Sequence, residues 1–222
     1  MTDQTPTDSA LTDPLNRHTD YGQTPLTEQD IDPDPLAQFA TWLEQAAESG
    51  VYEPNAMVLA TIDPDGGPSS RTVLLRTLDG DGFQFFTNYG SAKGLALLHS
   101  PRVALVFPWY TLHRQVLIRG EAVPTTPEIS DAYFATRPRG SQIAAAASEQ
   151  SRPIASREQL EARVRELEEQ YAGHDVPRPE TWGGYRVTPH SIEFWQGRSS
   201  RMHDRLRFTR DGAGWRRERL HP

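Results

Sequence analysis

The feature that most constrains this chain is a succession of short apolar runs between residues 57 and 123, broken by tight-turn sequences. MVLATI (57–62), SSRTVLLRTL (69–78) and FQFFTN (83–88) are joined by DPDGG and DGDG, and RVALVFPW (102–109) and QVLIRGEAV (115–123) follow. The runs are rich in Val, Ile, Phe and Thr and alternate with period two, and Asp-Gly turns favour hairpins. Successive strands joined this way pair antiparallel, and such a sheet buries its apolar face by curling into a small barrel.

Helical spacing brackets that block. A helix is predicted from Pro35 to Ser49, with Asp34 as N-cap, Pro35 where its missing N–H is harmless, and Gly50 closing the end. Its apolar stripe is Leu36, Phe39, Ala40, Leu43 and Ala47. SAKGLALLH (91–99) reads as a short helix capped by Ser91, and helical signals return at Pro127 to Thr136 and Ser141 to Ala147. The clearest helix runs from Ser156 to Ala172, where Ser156 and Gln159 form a capping box and Leu160, Val164, Leu167 and Tyr171 supply a buried face. Strands are predicted at 185–188, 191–196, 204–210 and 215–220. The expected fold is mostly β with peripheral helices, an α+β barrel spanning residues 34–222. Residues 1–33, rich in Thr, Asp and Pro, are expected to be flexible, with Leu11, Leu15, Tyr21 and Leu26 able to dock.

Composition excludes several classes of function. A formal net charge of −7 weighs against nucleic acid as the main partner. There is no cysteine, hence no disulfide, thiolate chemistry or cysteine-bound zinc. No signal-peptide core is visible and no apolar run approaches the roughly 20 residues of a membrane helix, so the expected location is the cytoplasm, with no membrane contact. The histidines (18, 99, 113, 174, 190, 203 and 221) show no metal-ligand spacing, so no metal is expected. Walker loops, GxGxxG before a helix and a hydrolase nucleophile elbow are also missing.

What remains is a set of anion-binding fragments. RTVLLR carries Arg71 and Arg76. FFTNYGSAK puts Thr87, Ser91 and Lys93, the single lysine of the chain, at a helix N-terminus suited to phosphate. In YFATRPRGSQ, Tyr133 and Arg137 share a helix face with Arg139 and Ser141 just beyond. SEQSRP (148–153) is a polar loop. In EFWQGRSSRMHDR, an extended chain would bring Arg201, His203 and Arg205 onto one face, with Trp195 as a flat partner for a ring. Singly, each fragment has an ordinary explanation as a solvated strand end, a helix cap or a basic turn.

Taken together, these fragments, with FPWYTLHRQV and WGGYRV, occur in the order and spacing of one family. The chain resembles the pyridoxamine 5′-phosphate oxidase family from about Pro35 to Pro222, and more weakly through the tail. The resemblance implies a split β-barrel homodimer with FMN in clefts between subunits, residues 34–222 including the C-terminal dimerisation and substrate-binding region. It implies oxidation of pyridoxamine or pyridoxine 5′-phosphate to pyridoxal 5′-phosphate, with hydride transfer from C4′ to flavin N5. Reoxidation by dioxygen gives hydrogen peroxide, and the amine releases ammonia.

By position, the implied FMN contacts are Arg71, Thr72, Val73, Leu74, Leu75 and Arg76 along one strand. Phe86, Thr87 and Lys93 follow, then Gln115, Gln150, Ser151, Trp195 and Arg205. Arg76, Tyr133, Arg137 and Ser141 would surround the substrate phosphate. Arg201 and His203 would meet the pyridine as the candidate catalytic residues, with Met202 between them. The stretch His18 to Tyr21 matches one that covers the substrate. Three departures from the family pattern stand out: Arg76 where many relatives have Lys, Ala92 where many have Arg, and the stretch Asn16, Arg17 and His18 where relatives often carry consecutive arginines. The residues alone leave open another flavin or deazaflavin reductase on the same barrel, a non-catalytic carrier of FMN or pyridoxal phosphate, and a nucleic-acid module on the arginine-rich C-terminal strands.

Overall fold

Hydrophobic alternation and tight turns produce the sheet. Its strands are β1 (Ala56–Ile62), β2 (Pro68–Leu74), β3 (Thr77–Asp79), β4 (Gly82–Asn88), β5 (Arg102–Trp109), β6 (Arg114–Pro124), β7 (Trp182–Gln196), β8 (Asp204–Asp211) and β9 (Gly214–Arg219). The computed structural model describes residues 19–222. All pairings are antiparallel, in the order β2-β1-β5-β6-β7-β4-β3, with β8 on β7 and β9 on β8. On β1 and β5 every second side chain is buried, as a sheet with one face on a core requires. β2 and β3 stand at opposite ends of this order yet are consecutive in the chain. The sheet therefore curls into a half-barrel whose ends are bridged by Leu75 and Arg76, whose N–H groups donate to the Asn55 and Gln84 carbonyls at 2.9 and 2.8 Å.

This bridging corrects the expectation of one strand over 69–78. β2 pairs with β1 and β3 with β4, so the chain leaves one ladder for the other between them. A second correction concerns the C-terminal half, where 185–188 and 191–196 are one strand, β7, running through Pro189. Proline is tolerated because β4 pairs with β7 only up to Val187 and β8 only from Ser191. On the other side, Gly120 pairs with Pro189 and Arg119 with Ser191, leaving His190 as an extra residue at the register shift. Gly120 permits this close approach, since a Cβ there would collide with the Thr188 carbonyl.

Helix α1 (Pro35–Glu48), capped by Asp34, plugs the half-barrel. Phe39 is fully buried, with ring centroids 5.0 Å from Phe83 and 4.7 Å from Phe107. The buried face differs from the predicted stripe, because Trp42 and Ala46 are buried whereas Ala40 and Ala47 are exposed. Trp42 packs edge-on against Phe194 at 5.1 Å, and burying an indole outweighs burying two methyl groups.

The remaining helices are α2 (Ala92–His99), α3 (Pro127–Thr136), α4 (Arg139–Ala147) and α5 (Arg157–Gln170). A second, smaller core of Phe134, Ile143, Leu167, Val176 and Trp182 joins α3, α4 and α5 to the start of β7. Of the predicted buried face of α5 only Leu167 is fully buried; Leu160 and Val164 instead border a cavity.

Residues 19–33 are the described part of the segment expected to be flexible. Leu26 and Ile31 belong to the main core, the Leu26 N–H donates to Asp204 Oδ2 at 3.1 Å, and Arg219 Nη2 donates to the Leu26 carbonyl at 2.9 Å. Leu11, Leu15 and residues 16–18 lie outside the described residues. Among the described residues, no helix is long and apolar enough to cross a membrane, and no group of three or more His, Asp or Glu side chains could hold a metal ion.

Phe39→Ala should cost about 3–5 kcal/mol of folding stability, the usual range for emptying a buried phenylalanine site. Urea unfolding followed by tryptophan fluorescence measures it; a loss below about 1 kcal/mol would mean that the helix is not the plug.

Candidate active site

The start and the end of β4 serve different places. Phe83 and Phe85 enter the barrel core, whereas Phe86, Thr87 and Asn88 border a cavity of about 520 Å³ between the sheet and helices α4 and α5. Thr72, Val73 and Leu74 at the end of β2 form another wall, and Arg76, Lys93 and Arg137 bring three cations to it.

Lys93 owes its position to the start of α2. Ser91 caps the helix, accepting from the Gly94 N–H at 3.3 Å and from Lys93 Nζ at 3.2 Å, while its hydroxyl donates to the Asn88 carbonyl at 2.7 Å. Lys93 Nζ also donates to Gln150 Oε1 at 2.8 Å, and Thr87 Oγ1 reaches the same oxygen at 3.3 Å. The SEQSRP loop is thereby tied to the FFTNYGSAK segment. Burial, and then the Arg71 charge, holds the Lys93 ammonium below the usual lysine value. Arg71 is fastened by Thr61 Oγ1 and Ser69 Oγ, each at 2.7 Å, and burial holds it below the ordinary guanidinium range while Asp63 opposes this.

The opposite wall is aromatic. Phe86 stacks on Tyr133 at 4.0 Å and lies nearly parallel to Trp182 at 5.5 Å. The Arg137 guanidinium sits 4.7 Å from the Trp182 ring centroid, yet its Nη1 is buried without a hydrogen-bond partner. Burial holds this arginine below its ordinary range; Tyr133 opposes the shift and Arg76 adds to it. A guanidinium that borders a cavity beside another cation, with one buried donor left without a partner, has the chemistry to take an anion.

A second cluster lies on β6, β7 and β8. Gln115 pairs with Trp195 and Trp195 with Arg205, so the three stand in one row across the sheet. The His203 ring lies 4.7 Å from Trp195, and its Nδ1 accepts the Arg198 N–H at 3.1 Å. Burial, then Arg201, lowers the His203 pKa, which favours the neutral ring. Arg205 is ion-paired with the buried Glu193 at 2.8 Å. Tyr21 from the N-terminal segment packs against His113 at 4.7 Å and His203 at 5.7 Å. A hollow of about 600 Å³ here is bordered by Arg198, Met202 and His203.

The structure thus distributes the sequence-predicted residues over two places. Thr72, Val73, Leu74, Arg76, Phe86, Thr87, Lys93, Tyr133, Arg137 and Gln150 surround one cavity; Gln115, Trp195, Met202, His203 and Arg205 form the other cluster. Leu75 is buried in the barrel core, Ser141 is half-buried in α4, and Ser151 follows Gln150 with a left-handed φ of 71°. The extended chain expected through Arg201 is replaced by a 3₁₀ turn over Ser199–Arg201, with Ser200 and Arg201 at φ 58° and 59°. Strand β8 begins only at Asp204, so Arg201 does not alternate with His203 and Arg205. Trp182 lay within WGGYRV but was not singled out, because one aromatic at a strand start gives no sign of the helix it will face. Thr61 and Ser69, which fasten Arg71, carry no sequence signal at all.

The chain is similar to known proteins over most of its length. The family model described as pyridoxamine 5′-phosphate oxidase matches residues 43–171, and the pyridoxine 5′-phosphate oxidase C-terminal dimerisation region matches residues 182–222. A pyridoxine/pyridoxamine 5′-phosphate oxidase of Rubrobacter xylanophilus is 58% identical over 91% of this chain and 94% of its own, and one from Cyanothece sp. is 52% identical over 91% and 95%. Among solved structures, PhzG from Burkholderia lata 383, in complex with tetrahydrophenazine-1-carboxylic acid, superposes with a TM-score of 0.85 at 34% identity, covering 91% of this chain and 100% of that one. A pyridoxamine 5′-phosphate oxidase-related, FMN binding protein from Nostoc punctiforme shares the fold at a TM-score of 0.70 and 16% identity, over 86% of this chain and 100% of that one. The half-barrel with its peripheral helices is the expected split barrel, and by sequence over nearly its whole length the chain belongs to the pyridoxamine 5′-phosphate oxidase family.

Proposed function

We propose that the protein is an FMN-dependent oxidase converting pyridoxamine 5′-phosphate and pyridoxine 5′-phosphate to pyridoxal 5′-phosphate. Relatives at 52–58% identity carry the corresponding name. The observation that carries the reading is that Arg76, Lys93 and Arg137 line one cavity, with Arg71 close enough to Lys93 to act on its charge. Lys93 feels Arg71, and Arg137, with its orphaned Nη1, feels Arg76. Burial disfavours the charged forms of Lys93 and Arg137, each with a second cation nearby, and a bound anion would offset that cost; two such places suit two phosphates, one on the cofactor and one on the substrate.

The residues present fit FMN. Lys93 at the N-terminus of α2 and Arg71 would hold its phosphate, with Gln150, Gln115, Trp195 and Arg205 as further contacts. The chemistry FMN supplies when bound is acceptance of a hydride from C4′ and return of the electron pair to dioxygen as hydrogen peroxide. The protein's own residues bind and orient. Arg76, Arg137 and Tyr133 hold the substrate phosphate, Trp195 offers a flat face, and neutral His203 presents Nε2 to the ring. Arg201 covers that ring from the turn before β8. Water adds at the oxidised carbon of the amine substrate, and ammonia leaves.

The homodimer belongs to the same proposal. The two clusters of one chain are separate hollows, and a dimer built on the matched C-terminal region would set the His203 cluster of one protomer against the cation cavity of its partner. A different substrate within the fold is exemplified by the phenazine acid bound to PhzG, whose carboxylate could also meet a guanidinium.

The purified protein should show flavin absorption and release hydrogen peroxide when pyridoxamine 5′-phosphate is added in air. Flavin without peroxide would indicate a carrier, and turnover of a reduced phenazine acid alone would favour the second substrate class.

Arg137→Ala should impair substrate binding and spare the flavin. A charge-assisted hydrogen bond is worth about 1.5–3 kcal/mol, so KM should rise about ten- to a hundredfold. Unchanged KM with lost flavin would move Arg137 to the cofactor.

Subunit exchange tests the shared site. Lys93→Ala and Arg205→Ala homodimers should each bind FMN weakly, and mixed heterodimers should recover about half of the sites. A monomer that binds FMN normally would exclude sharing.

A further inference from the structure

We propose that the Arg198–Asp204 ion pair is a positioning device that sets the tautomer of His203 and holds the strained turn presenting Arg201. The inference rests on the reading above for the importance of His203 and Arg201, but its geometry stands by itself. Arg198 grips two consecutive residues beyond the turn. Its backbone N–H donates to His203 Nδ1 at 3.1 Å, and its side-chain Nη1 donates to Asp204 Oδ2 at 3.2 Å. The backbone bond and the ion pair close one loop over residues 198–204.

Inside that loop the backbone is under strain. Ser200 and Arg201 are both left-handed, at φ 58° and 59°, and neither is glycine. Two such residues in succession persist only where the surroundings over-determine them. The turn is closed by the Met202 N–H to Ser199 carbonyl bond at 3.2 Å, and its first residue is tied to the N-terminal segment, the Ser199 N–H donating to the Gly22 carbonyl at 2.9 Å and its hydroxyl to Asp20 Oδ1 at 2.5 Å. Arg201 is exposed and, among the described residues, its side chain makes no hydrogen bond that could hold it. The Ser199 bonds fix the start of the turn; beyond it, Ser200 and Arg201 are restrained through the two feet of the loop.

Those feet are well fixed. Asp204 pairs with Gln196 in the β7–β8 ladder, and its side chain is only 14% exposed. Its carboxylate is held from three directions. Oδ2 accepts from the Leu26 N–H at 3.1 Å as well as from Arg198, and Oδ1 accepts from Arg219 Nη1 at 2.6 Å. On the other side, the Gly197 N–H donates to the His113 carbonyl at 2.7 Å, anchoring the chain just before Arg198.

The consequence for His203 is chemical. A ring nitrogen that accepts an N–H carries no proton, so the proton of the neutral ring resides on Nε2. A carboxylate beside a histidine often serves to stabilise the imidazolium. Here both oxygens of Asp204 are occupied by Leu26, Arg198 and Arg219, and its charge is balanced by two guanidinium groups. Asp204 therefore acts on His203 through Arg198. The outcome is an imidazole that offers a donor at Nε2, held against Trp195, next to a turn that projects Arg201.

The test uses full-length, flavin-loaded protein with ¹⁵N-labelled histidine, the His203 signals being identified by their loss in His203→Gln. The wild type should show an unprotonated Nδ1 and a protonated Nε2. In Asp204→Ala and Arg198→Met the His203 signals should move toward a mixture of tautomers. In the same variants, kcat with pyridoxamine 5′-phosphate should fall about ten- to a hundredfold with little change in KM, as for a misplaced group. Asp204→Asn, which keeps an acceptor oxygen, should restore much of both. A single Nε2–H tautomer in both Asp204→Ala and Arg198→Met would overturn the proposal, even if turnover fell. Should Asp204→Ala not fold, because Leu26 and Arg219 lose their partner, Arg198→Met decides alone, since it leaves those bonds in place. If the tautomer shifts as expected but the wild type does not oxidise pyridoxamine 5′-phosphate, the positioning role stands and the proposed function fails.

Discussion

Strand β7 is the constraint on which the remaining structure depends. It pairs with β6 along its length, but on its other edge it serves β4 in its first half and β8 in its second. The change of partner at Pro189 curls the sheet and divides it into two neighbourhoods. Trp182 opens the strand beside the cation cavity, and Trp195 nearly ends it beside His203. Twelve residues of extended chain separate them, a contour of roughly 40 Å. The two clusters of candidate site residues thus belong to opposite ends of one element. That separation supports a site completed by a second copy of the chain.

The arginines sort themselves by what they face. Arg178, Arg186, Arg198, Arg205, Arg207 and Arg219 all hold carboxylates. Arg219 is the most connected, binding Glu28 and Asp204 and the Leu26 carbonyl, and its hydrogen bonds hold the Glu28 carboxyl down at about 2. The tie between the N-terminal segment and β9 is therefore charged through most of the acid range, and loosens only as Glu28 takes up its proton. At the cavity the pattern reverses. Among the described residues, Arg76, Lys93 and Arg137 have no carboxylate partner, although acidic residues outnumber basic ones, 30 to 23. Cations left unpaired in an acidic chain indicate a ligand more strongly than any count of basic residues does.

Much of the local structure was legible because its causes are local. Asp34, Ser91 and Ser156 cap the helices that their positions predicted, each accepting an N–H from the first turn. The strands from 102 to 109 and near 115 to 123 followed from alternation alone. What escaped depends on partners distant in sequence. The break at Leu75 and Arg76 exists because the half-barrel brings its edges together, and the docking of Leu26 depends on Asp204 and Arg219. Neither has a signature within a few residues of itself. For the candidate site, the collinear fragments name Lys93, Gln150, Arg137 and Tyr133, and the structure brings these four around one cavity. Trp182 and the left-handed turn at Ser200 and Arg201 were not legible, as their shape is imposed by contacts across the fold.

The same reasoning bears on why a shared barrel does not dictate a shared ligand. PhzG superposes over most of this chain while holding a phenazine acid rather than a phosphorylated pyridine. Phe39 and the aromatic residues around it seal the half-barrel core and do not line the cavity, whose wall meets that core at Val73. The side chains able to discriminate lie on the second, helical core: Tyr133 and Arg137 at the end of α3, backed by Phe86 and Trp182. This core fixes the Arg137 guanidinium against an indole face and leaves Nη1 free. A planar carboxylate can satisfy one guanidinium edge, whereas a tetrahedral phosphate can take donors from Arg137, Arg76 and the Tyr133 hydroxyl from different directions at once. On the proposed reading, phosphate would be the better match to the surroundings of Arg137, and discrimination would reside in how the helices are packed onto β4.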